Sequence, residues 1–265
     1  MIVLGLGITA VNLAILLFEF LRKRRQNFPA YGWAGLIVLV AAEILMLRGI
    51  EPIAMYFTPL AWSAYILVAD GAVLAVRGRS RLHDAPGELV RTAMLSVPLW
   101  LIFEAYNLRL ANWTYVGLPA ETIVLWSGYA WAFATITPGI FETADLIEAF
   151  DWFAPARPRA LSRAAELSIA LVGAACLIVP LVLPKPVAAY LFGLVWVGFV
   201  FLLDPINKRL GLPSLLGDLA AGRHQQVLVV DDFGLGLRMA LGVLELLGLG
   251  QVALHFSHHA AFENL

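Results

Sequence analysis

The chain has 265 residues, of which 61% are hydrophobic and only 14% are charged, and its mean hydropathy is +0.82. Soluble domains carry about 25% charged residues, so this composition excludes a water-facing shell. Lipid admits only helices or closed barrels, and the apolar runs here are continuous, so the predicted class is an all-α polytopic membrane protein. The net charge of −1 excludes a basic nucleic-acid footprint, and the lone Cys176 excludes an internal disulfide.

Hydropathy predicts eight membrane spans of about 20 residues each. In chain order they cover residues 2–21, 31–49, 59–76, 90–108, 122–147, 164–183, 187–204 and 233–254. No basic segment precedes the first apolar run, so we interpret it as a retained span and not as a signal peptide. The eighth span contains five glycines, which lower its helix propensity.

An ungapped internal repeat aligns residues 52–82 with residues 186–216 at a constant offset of 134. Four spans separate the two copies, so both enter the membrane in the same direction. The chain is therefore predicted to consist of two parallel four-helix repeats, over residues 1–120 and 121–265. Eight of the 31 aligned pairs are identical: Pro52/Pro186, Ala54/Ala188, Tyr56/Tyr190, Leu60/Leu194, Trp62/Trp196, Asp70/Asp204, Ser80/Ser214 and Leu82/Leu216.

Basic residues are distributed unequally between the two sides of the predicted bundle. Of the 18 lysines and arginines, 14 lie on the side reached after spans 1, 3, 5 and 7, whereas Arg48, Arg109 and Lys185 lie on the opposite side and Arg238 lies at the entry to span 8. Cytoplasmic loops carry the excess of positive charge in membrane proteins. We therefore predict a multi-pass protein of the bacterial inner membrane whose two termini both lie outside, in the periplasm.

Acidic residues inside predicted spans are candidates for function, because an acid at the centre of a membrane helix costs about 2.5–3.5 kcal/mol or more. They either line a polar cavity or proton path, or are neutral acids that hydrogen-bond between helices. Asp204 precedes Pro205, which favours a helix end and a wetter setting there. The acids that qualify by position are Glu43, Asp70, Glu104, Glu142, Asp145, Asp204 and Glu245.

The densest group of polar and aromatic residues spans the outer loop between spans 4 and 5. Glu104 and Asn107 are three residues apart and share a helix face, and Trp113, Tyr115 and Glu121 follow. One interpretation places the two acids and Asn107 around an outer-leaflet pocket walled by the two aromatic rings. The other is an aromatic belt at the headgroups followed by an ordinary helix start.

A second group lies in span 5, where Pro138 and Gly139 are predicted to interrupt the helix. Glu142 and Asp145 follow on one face, and a broken helix with paired acids can hold a cation or a proton. A simple proline kink explains the pattern equally well. Tyr129 and Trp131, which precede the break at alternating positions, are candidate ligand contacts or else packing and lipid contacts.

The pattern of histidines does not predict a specific metal centre. His255 and His259 have the i, i+4 spacing of helical ligands, but no carboxylate completes a zinc motif. We predict no metal site and name no cofactor. The candidate partners are membrane lipids, an isoprenoid or pigment, and other membrane subunits, with no nucleic acid.

The residues Trp113-Thr114-Tyr115, followed by Pro119-Ala120-Glu121, resemble the W-x-Y … P-x-E pattern of integral-membrane carotenoid-biosynthesis proteins, the lycopene cyclase domains and their relatives. The resemblance implies a pocket for a long isoprenoid in which an acid protonates a double bond. Glu104 or Glu121 would then be the catalytic acid, and Trp113 and Tyr115 would stabilise a cation or stack on the ligand.

Three functions therefore remain open at the level of the sequence. The first is a protein that binds or converts an isoprenoid or another lipid. The second is a non-catalytic subunit of a bioenergetic or photosynthetic membrane complex. The third is a proton- or ion-coupled carrier that uses Asp70, Asp204 and Glu142.

Overall fold

The computed structural model describes residues 2–152, 158–212 and 214–222, and every regular element in these ranges is a helix. The helices are α1 (Ile2–Lys23), α2 (Ala30–Leu47), α3 (Phe57–Arg77), α4 (Arg81–Asp84), α5 (Pro86–Leu110), α6 (Thr122–Ala149), α7 (Arg163–Val182), α8 (Lys185–Ala188), α9 (Phe192–Arg209) and α10 (Leu215–Ala221). A single 3₁₀ turn, Ala189–Leu191, joins α8 to α9. The predicted all-α class is confirmed for this part of the chain.

Six segments of the described chain are long and apolar enough to cross a membrane, by length and composition. Five are α2, α3, α5, α6 and α7, and the sixth is Lys185–Arg209, which combines α8, the 3₁₀ turn and α9. They correspond to predicted spans 2–7 and indicate a membrane protein. The first predicted span is helical in α1, and the eighth, residues 233–254, lies outside the described residues.

Two compact units divide the described chain. Unit 1 contains residues 2–99 and 115–150, and unit 2 contains residues 100–114 together with the described residues from 151 to 222. The boundary within α5 falls between Leu99 and Trp100. These units are groupings by contact, whereas the predicted repeats are groupings by sequence, so one division does not test the other.

In unit 1, α3 packs against both α2 and α6, and glycines allow the close approach. A Cβ at Gly35 of α2 would lie 2.8 Å from the main-chain oxygen of Ala64 in α3. A Cβ at Gly139 of α6 would lie 2.4 Å from the indole of Trp62. Small residues at such positions let membrane helices meet closely enough for van der Waals packing. The helix that carries Asp70, α3, is therefore a neighbour of α6, which carries Glu142 and Asp145.

In unit 2, α7 and α9 pack together in a similar way. A Cβ at Gly173 of α7 would lie 2.4 Å from the main-chain nitrogen of Leu202 in α9. Ser162 starts α7 as a cap, because its hydroxyl accepts a hydrogen bond from the main-chain N–H of Ala165 at 3.2 Å. Lys208 of α9 forms an ion pair with the buried Glu166 of α7. Close backbone packing and an ion pair thus hold α7 and α9 together.

Prolines do not end the helices in which they lie, contrary to two expectations from the sequence. α6 continues through Pro138 and Gly139 to Ala149, so the predicted interruption is wrong. α9 continues through Pro205 to Arg209, and Asp204 is only 4% exposed, so the predicted helix end and wet setting are also wrong. A proline removes only one hydrogen bond from a helix, and packing against neighbouring helices offsets that loss in a membrane bundle.

The connection between α1 and α2 is attached to the end of α3. The main-chain N–H groups of Arg25 and Gln26 both donate to the carbonyl oxygen of Ala75, at 2.8 and 3.2 Å. The side-chain amide of Gln26 donates to the carbonyl of Leu74 at 2.7 Å. Carbonyls in the last turn of a helix have no partner within the helix, so this connection satisfies groups that α3 leaves open. α3 ends at Arg77, and Gly78 caps it in the left-handed conformation, with a φ of 77°.

Candidate functional site

Asp70 of α3 fixes the turn that follows its own helix. It is 0% exposed and accepts three hydrogen bonds, from the hydroxyl of Tyr31 at 2.5 Å, the hydroxyl of Ser80 at 2.8 Å and the main-chain N–H of Leu82 at 2.8 Å. Ser80 in turn caps α4 by accepting from the main-chain N–H of His83. The carboxylate thus holds α4 against α3, and its donors account for its burial.

Asp204 makes the corresponding contacts in unit 2. Its two carboxylate oxygens accept the main-chain N–H groups of Leu215 and Leu216, the latter at 3.0 Å. Ser214 caps α10 by accepting from the main-chain N–H of Gly217 at 3.0 Å. Both aspartates therefore bind the N–H of the residue 12 positions ahead, Leu82 and Leu216 respectively.

Glu142 of α6 differs from both aspartates. It is 0% exposed, and neither of its carboxylate oxygens has a hydrogen-bond partner. Five ionisable groups of unit 1 interact with it electrostatically: Tyr31, Tyr65, Asp70, Arg81 and Asp145. The hydroxyls of the two tyrosines are engaged elsewhere, with Asp70 at 2.5 Å and with Thr143 at 2.6 Å. Glu142 is thus a buried acid without a donor to stabilise its charged form.

Asp145, one turn further along α6, is fully paired. The guanidinium of Arg81 donates to both of its oxygens, from Nε at 2.6 Å and from Nη2 at 3.2 Å. The same guanidinium lies 5.1 Å from the ring centroid of Phe141. Burial lowers the pKa of Arg81, but the hydrogen bond and the negative charge of Asp145 outweigh burial and leave that pKa above its ordinary value. Arg81 therefore remains a cation beside Glu142.

A cavity of about 240 Å³, which we call the arginine cavity, opens beside this ion pair. It is lined by Val73, Arg77, Arg79, Ser80, Arg81, Asp84, Ala85 and Asp145. Arg77 is held by Glu148 at 3.1 Å, and the exposed His83 bonds Asp84 at 2.6 Å, which lowers the pKa of the Asp84 carboxyl. The cavity therefore brings solvent to a polar wall of which the Arg81–Asp145 pair is a part.

The predicted outer-loop residues Glu104, Asn107 and Trp113 lie in unit 2. Glu104 accepts a hydrogen bond from the indole N–H of Trp100 at 2.9 Å. Asn107 fastens the chain after α5, because its oxygen accepts the main-chain N–H groups of Asn112 and Trp113 and its amide donates to the carbonyl of Trp113. Asn107 is thus occupied with loop structure. The ring of Trp113 packs at 4.5 Å from Phe192.

The remaining predicted ligand contacts lie in unit 1. Glu121 is exposed at the start of α6, and Tyr115 is 41% exposed. The ring of Tyr115 is 5.2 Å from that of Tyr129, and Trp131 donates to the hydroxyl of Ser63 at 3.0 Å. The rings of Tyr115, Tyr129 and Trp131 thus lie at and just before the first turns of α6, whereas Asp70 and Glu142 are buried and Asp145 lines the arginine cavity.

Sequence reasoning missed Arg81 and Tyr31, which complete the site around the three acids. Tyr31 has no motif that distinguishes it. Arg81 lies between Ser80 and Leu82, which match Ser214 and Leu216 in the alignment that predicts the repeat, and this is the signal that marks its position. In that alignment Arg81 is opposite Leu215, so the second segment has no cation at this position.

The described residues contain no group of three or more His, Cys, Asp or Glu side chains that could hold a metal ion. His255, His259 and Glu245 lie outside the described part of the chain. A scan against models of known protein families, a search of curated proteins and a search of solved structures each found no match. The function must therefore be argued from the site itself.

Proposed function

We propose that this chain is a proton-coupled membrane carrier in which Glu142 binds and releases the proton. The observation that supports the proposal is the state of its side chain, which is fully buried and has no hydrogen-bond partner on either oxygen. A charged carboxylate in such a place costs several kcal/mol unless a donor or a cation compensates it. A neutral Glu142 fits the structure as it stands, and a charged Glu142 requires the surroundings to move.

The neighbours of Glu142 explain why its charge would be coupled to a movement. The hydroxyls of Tyr31 and Tyr65 are already engaged, and Asp70 and Asp145 are acids. Arg81 is the one cation among the described groups that interact with Glu142, and it is bound to Asp145. Loss of the proton therefore favours a rearrangement around Arg81 or the entry of water, which is the coupling that a carrier requires.

Infrared spectroscopy of the purified protein tests this proposal through the carbonyl stretching band of a protonated carboxylic acid. The parent should show a band that disappears as the pH rises, and Glu142→Gln should lack it. Glu148→Gln is the control, since Glu148 lies on the same helix but is half-buried and paired with Arg77. Proteoliposomes are then tested in a low-molecular-weight extract of cells, because a coupled carrier moves protons only together with its solute. The parent should dissipate an imposed pH gradient there and Glu142→Gln should not. Identical spectra and identical proton flux for parent and Glu142→Gln would refute the proposal.

A second candidate is the binding of a long isoprenoid or other lipid along α6. It is supported by the row of rings that links Tyr115 to Tyr129 and Tyr129 to Phe133, where the last two are stacked at 5.6 Å. Mass spectrometry of an organic extract would detect such a lipid. If the lipid is converted by acid catalysis, Glu104→Gln and Glu121→Gln should abolish turnover without lowering expression. Mass spectrometry of the intact purified sample tests the alternative that the chain is a non-catalytic subunit of a membrane complex. That alternative predicts a partner chain in a fixed ratio.

We also propose the topology of the chain: it has eight spans in two parallel repeats, lies in a bacterial inner membrane, and has both termini outside. It is supported by the equal spacing of the Asp70–Leu82 and Asp204–Leu216 hydrogen bonds. In a Cys176→Ala background, an impermeant maleimide should label Arg48→Cys in intact cells and should leave Arg79→Cys unlabelled. The opposite labelling pattern would show that the orientation is reversed, with both termini in the cytoplasm.

A further inference from the structure

Arg81 is positioned by the residues on both sides of it. Asp70 binds the hydroxyl of Ser80 at 2.8 Å and the main-chain N–H of Leu82 at 2.8 Å. The residue between them is therefore held at a fixed place at the start of α4. From there, the guanidinium of Arg81 makes its two-pronged contact with Asp145, which is the strong geometry for a charge-assisted pair.

The Arg81–Asp145 ion pair borders the arginine cavity and also interacts with the buried acid Glu142. Arg81 and Asp145 both line the arginine cavity, and both interact electrostatically with Glu142. Glu142 does not line that cavity and is 0% exposed. The two paired side chains thus border a solvent-accessible cavity, and their charges act on an acid that solvent does not reach.

We propose that the Arg81–Asp145 ion pair is the gate through which protons pass between the arginine cavity and Glu142. This inference rests on the proposed function. In the closed state, the pair excludes water from Glu142. When the pair opens, a hydronium ion in the cavity breaks one O–H bond and donates its proton to the Glu142 carboxylate, which leaves a neutral water and a neutral acid. Release is the reverse step, and no oxidant or reductant takes part.

The groups that face Glu142 make Arg81 suitable for this role. Tyr31 comes from α2, Tyr65 and Asp70 come from α3, Asp145 comes from α6 itself, and Arg81 comes from α4. When Glu142 loses its proton, two carboxylates compete for the guanidinium of Arg81. The charge on Glu142 therefore weakens the closed pair, and reprotonation restores it.

The experiment is hydrogen–deuterium exchange of the Glu142 carboxyl, followed through its infrared band after transfer to heavy water at fixed pH. Arg81→Gln and Asp145→Asn each remove the ion pair, and each should accelerate exchange about tenfold or more, the factor expected when the closed state loses a charge-assisted hydrogen bond. Arg91→Gln is the matched control. It removes the same charge from an exposed pair with Glu88 on α5, outside the cavity, and it should leave the exchange rate unchanged.

The two variants separate a gate from a simple electrostatic effect, because they remove charges of opposite sign. A gate predicts acceleration in both, whereas the field of the pair alone predicts opposite effects, and that result would overturn the inference. An unchanged rate in both would overturn it as well. Arg81→Lys keeps the charge with a single point of contact, so it should exchange at a rate between parent and Arg81→Gln, and it serves if Arg81→Gln does not fold. If the parent shows no Glu142 band, the proposed function itself fails, and this outcome is distinct from a band whose exchange ignores Arg81.

Discussion

Replacing Asp70 with asparagine isolates the hydrogen bonds that hold α4 on α3. In the protein, Oδ1 of Asp70 accepts from the hydroxyls of Tyr31 and Ser80, and Oδ2 accepts the main-chain N–H of Leu82. An asparagine offers one oxygen and one NH₂ group, so it cannot accept from the two hydroxyls and from the main-chain N–H of Leu82 at the same time. The variant loses a hydrogen bond to a charged acceptor and leaves a buried donor unsatisfied, which should lower the free energy of unfolding by about 2–4 kcal/mol.

The assay is reversible unfolding of the purified protein in mixed micelles by increasing amounts of a denaturing detergent, followed by the loss of helical circular dichroism. Asp84→Asn provides the control, because Asp84 lies in α4 but is exposed, and an asparagine oxygen can still accept from the main-chain N–H of Ser80. The control should keep the parental midpoint. If Asp70→Asn also kept it, the assignment of Asp70 as the anchor of α4 would be wrong.

Two further predictions use the same unfolding assay. Asp204→Asn should cost about 2–4 kcal/mol, because both oxygens of Asp204 accept main-chain N–H groups and an asparagine can accept only one; parental stability would contradict this role. Gly173→Ala should cost about 1–3 kcal/mol, since its Cβ would lie 2.4 Å from the main chain of α9 and force the helices apart. Gly193→Ala, which has no atom within 4 Å of its Cβ, should be neutral or stabilising, and equal midpoints for the two glycine variants would count against the close approach.

The positions of the helices were predictable because hydrophobic length is a local property of the sequence. Predicted span 3, residues 59–76, differs from α3 by two residues at its start and one at its end. Its end is set by Gly78, whose left-handed conformation is natural for glycine. The two proline predictions failed because local rules describe an isolated helix, whereas neighbouring helices decide whether a helix in a bundle continues.

The candidate site was predictable only in part, because spacing along one helix gives its face and not its partners. Glu142 and Asp145 were expected to act as a pair on one face of span 5. In the structure, Asp145 is bound by Arg81 and Glu142 has no hydrogen-bond partner. The difference between them depends on a side chain from α4, and α4 is brought there by Asp70. A contact between segments that are distant in the sequence produces no periodic pattern of residues, so a single sequence does not reveal it.

The attachment of the α1–α2 connection to α3 has a consequence for biogenesis. The amide of Gln26 bonds a carbonyl 48 residues later in the sequence, and Arg25 and Gln26 both bond Ala75. The ribosome synthesises Gln26 well before Leu74 and Ala75, so these polar groups must remain hydrated while the first two helices enter the bilayer. The connection thus acquires these hydrogen bonds only after α3 has been synthesised, and a nascent chain released before Leu74 lacks the acceptors that order it.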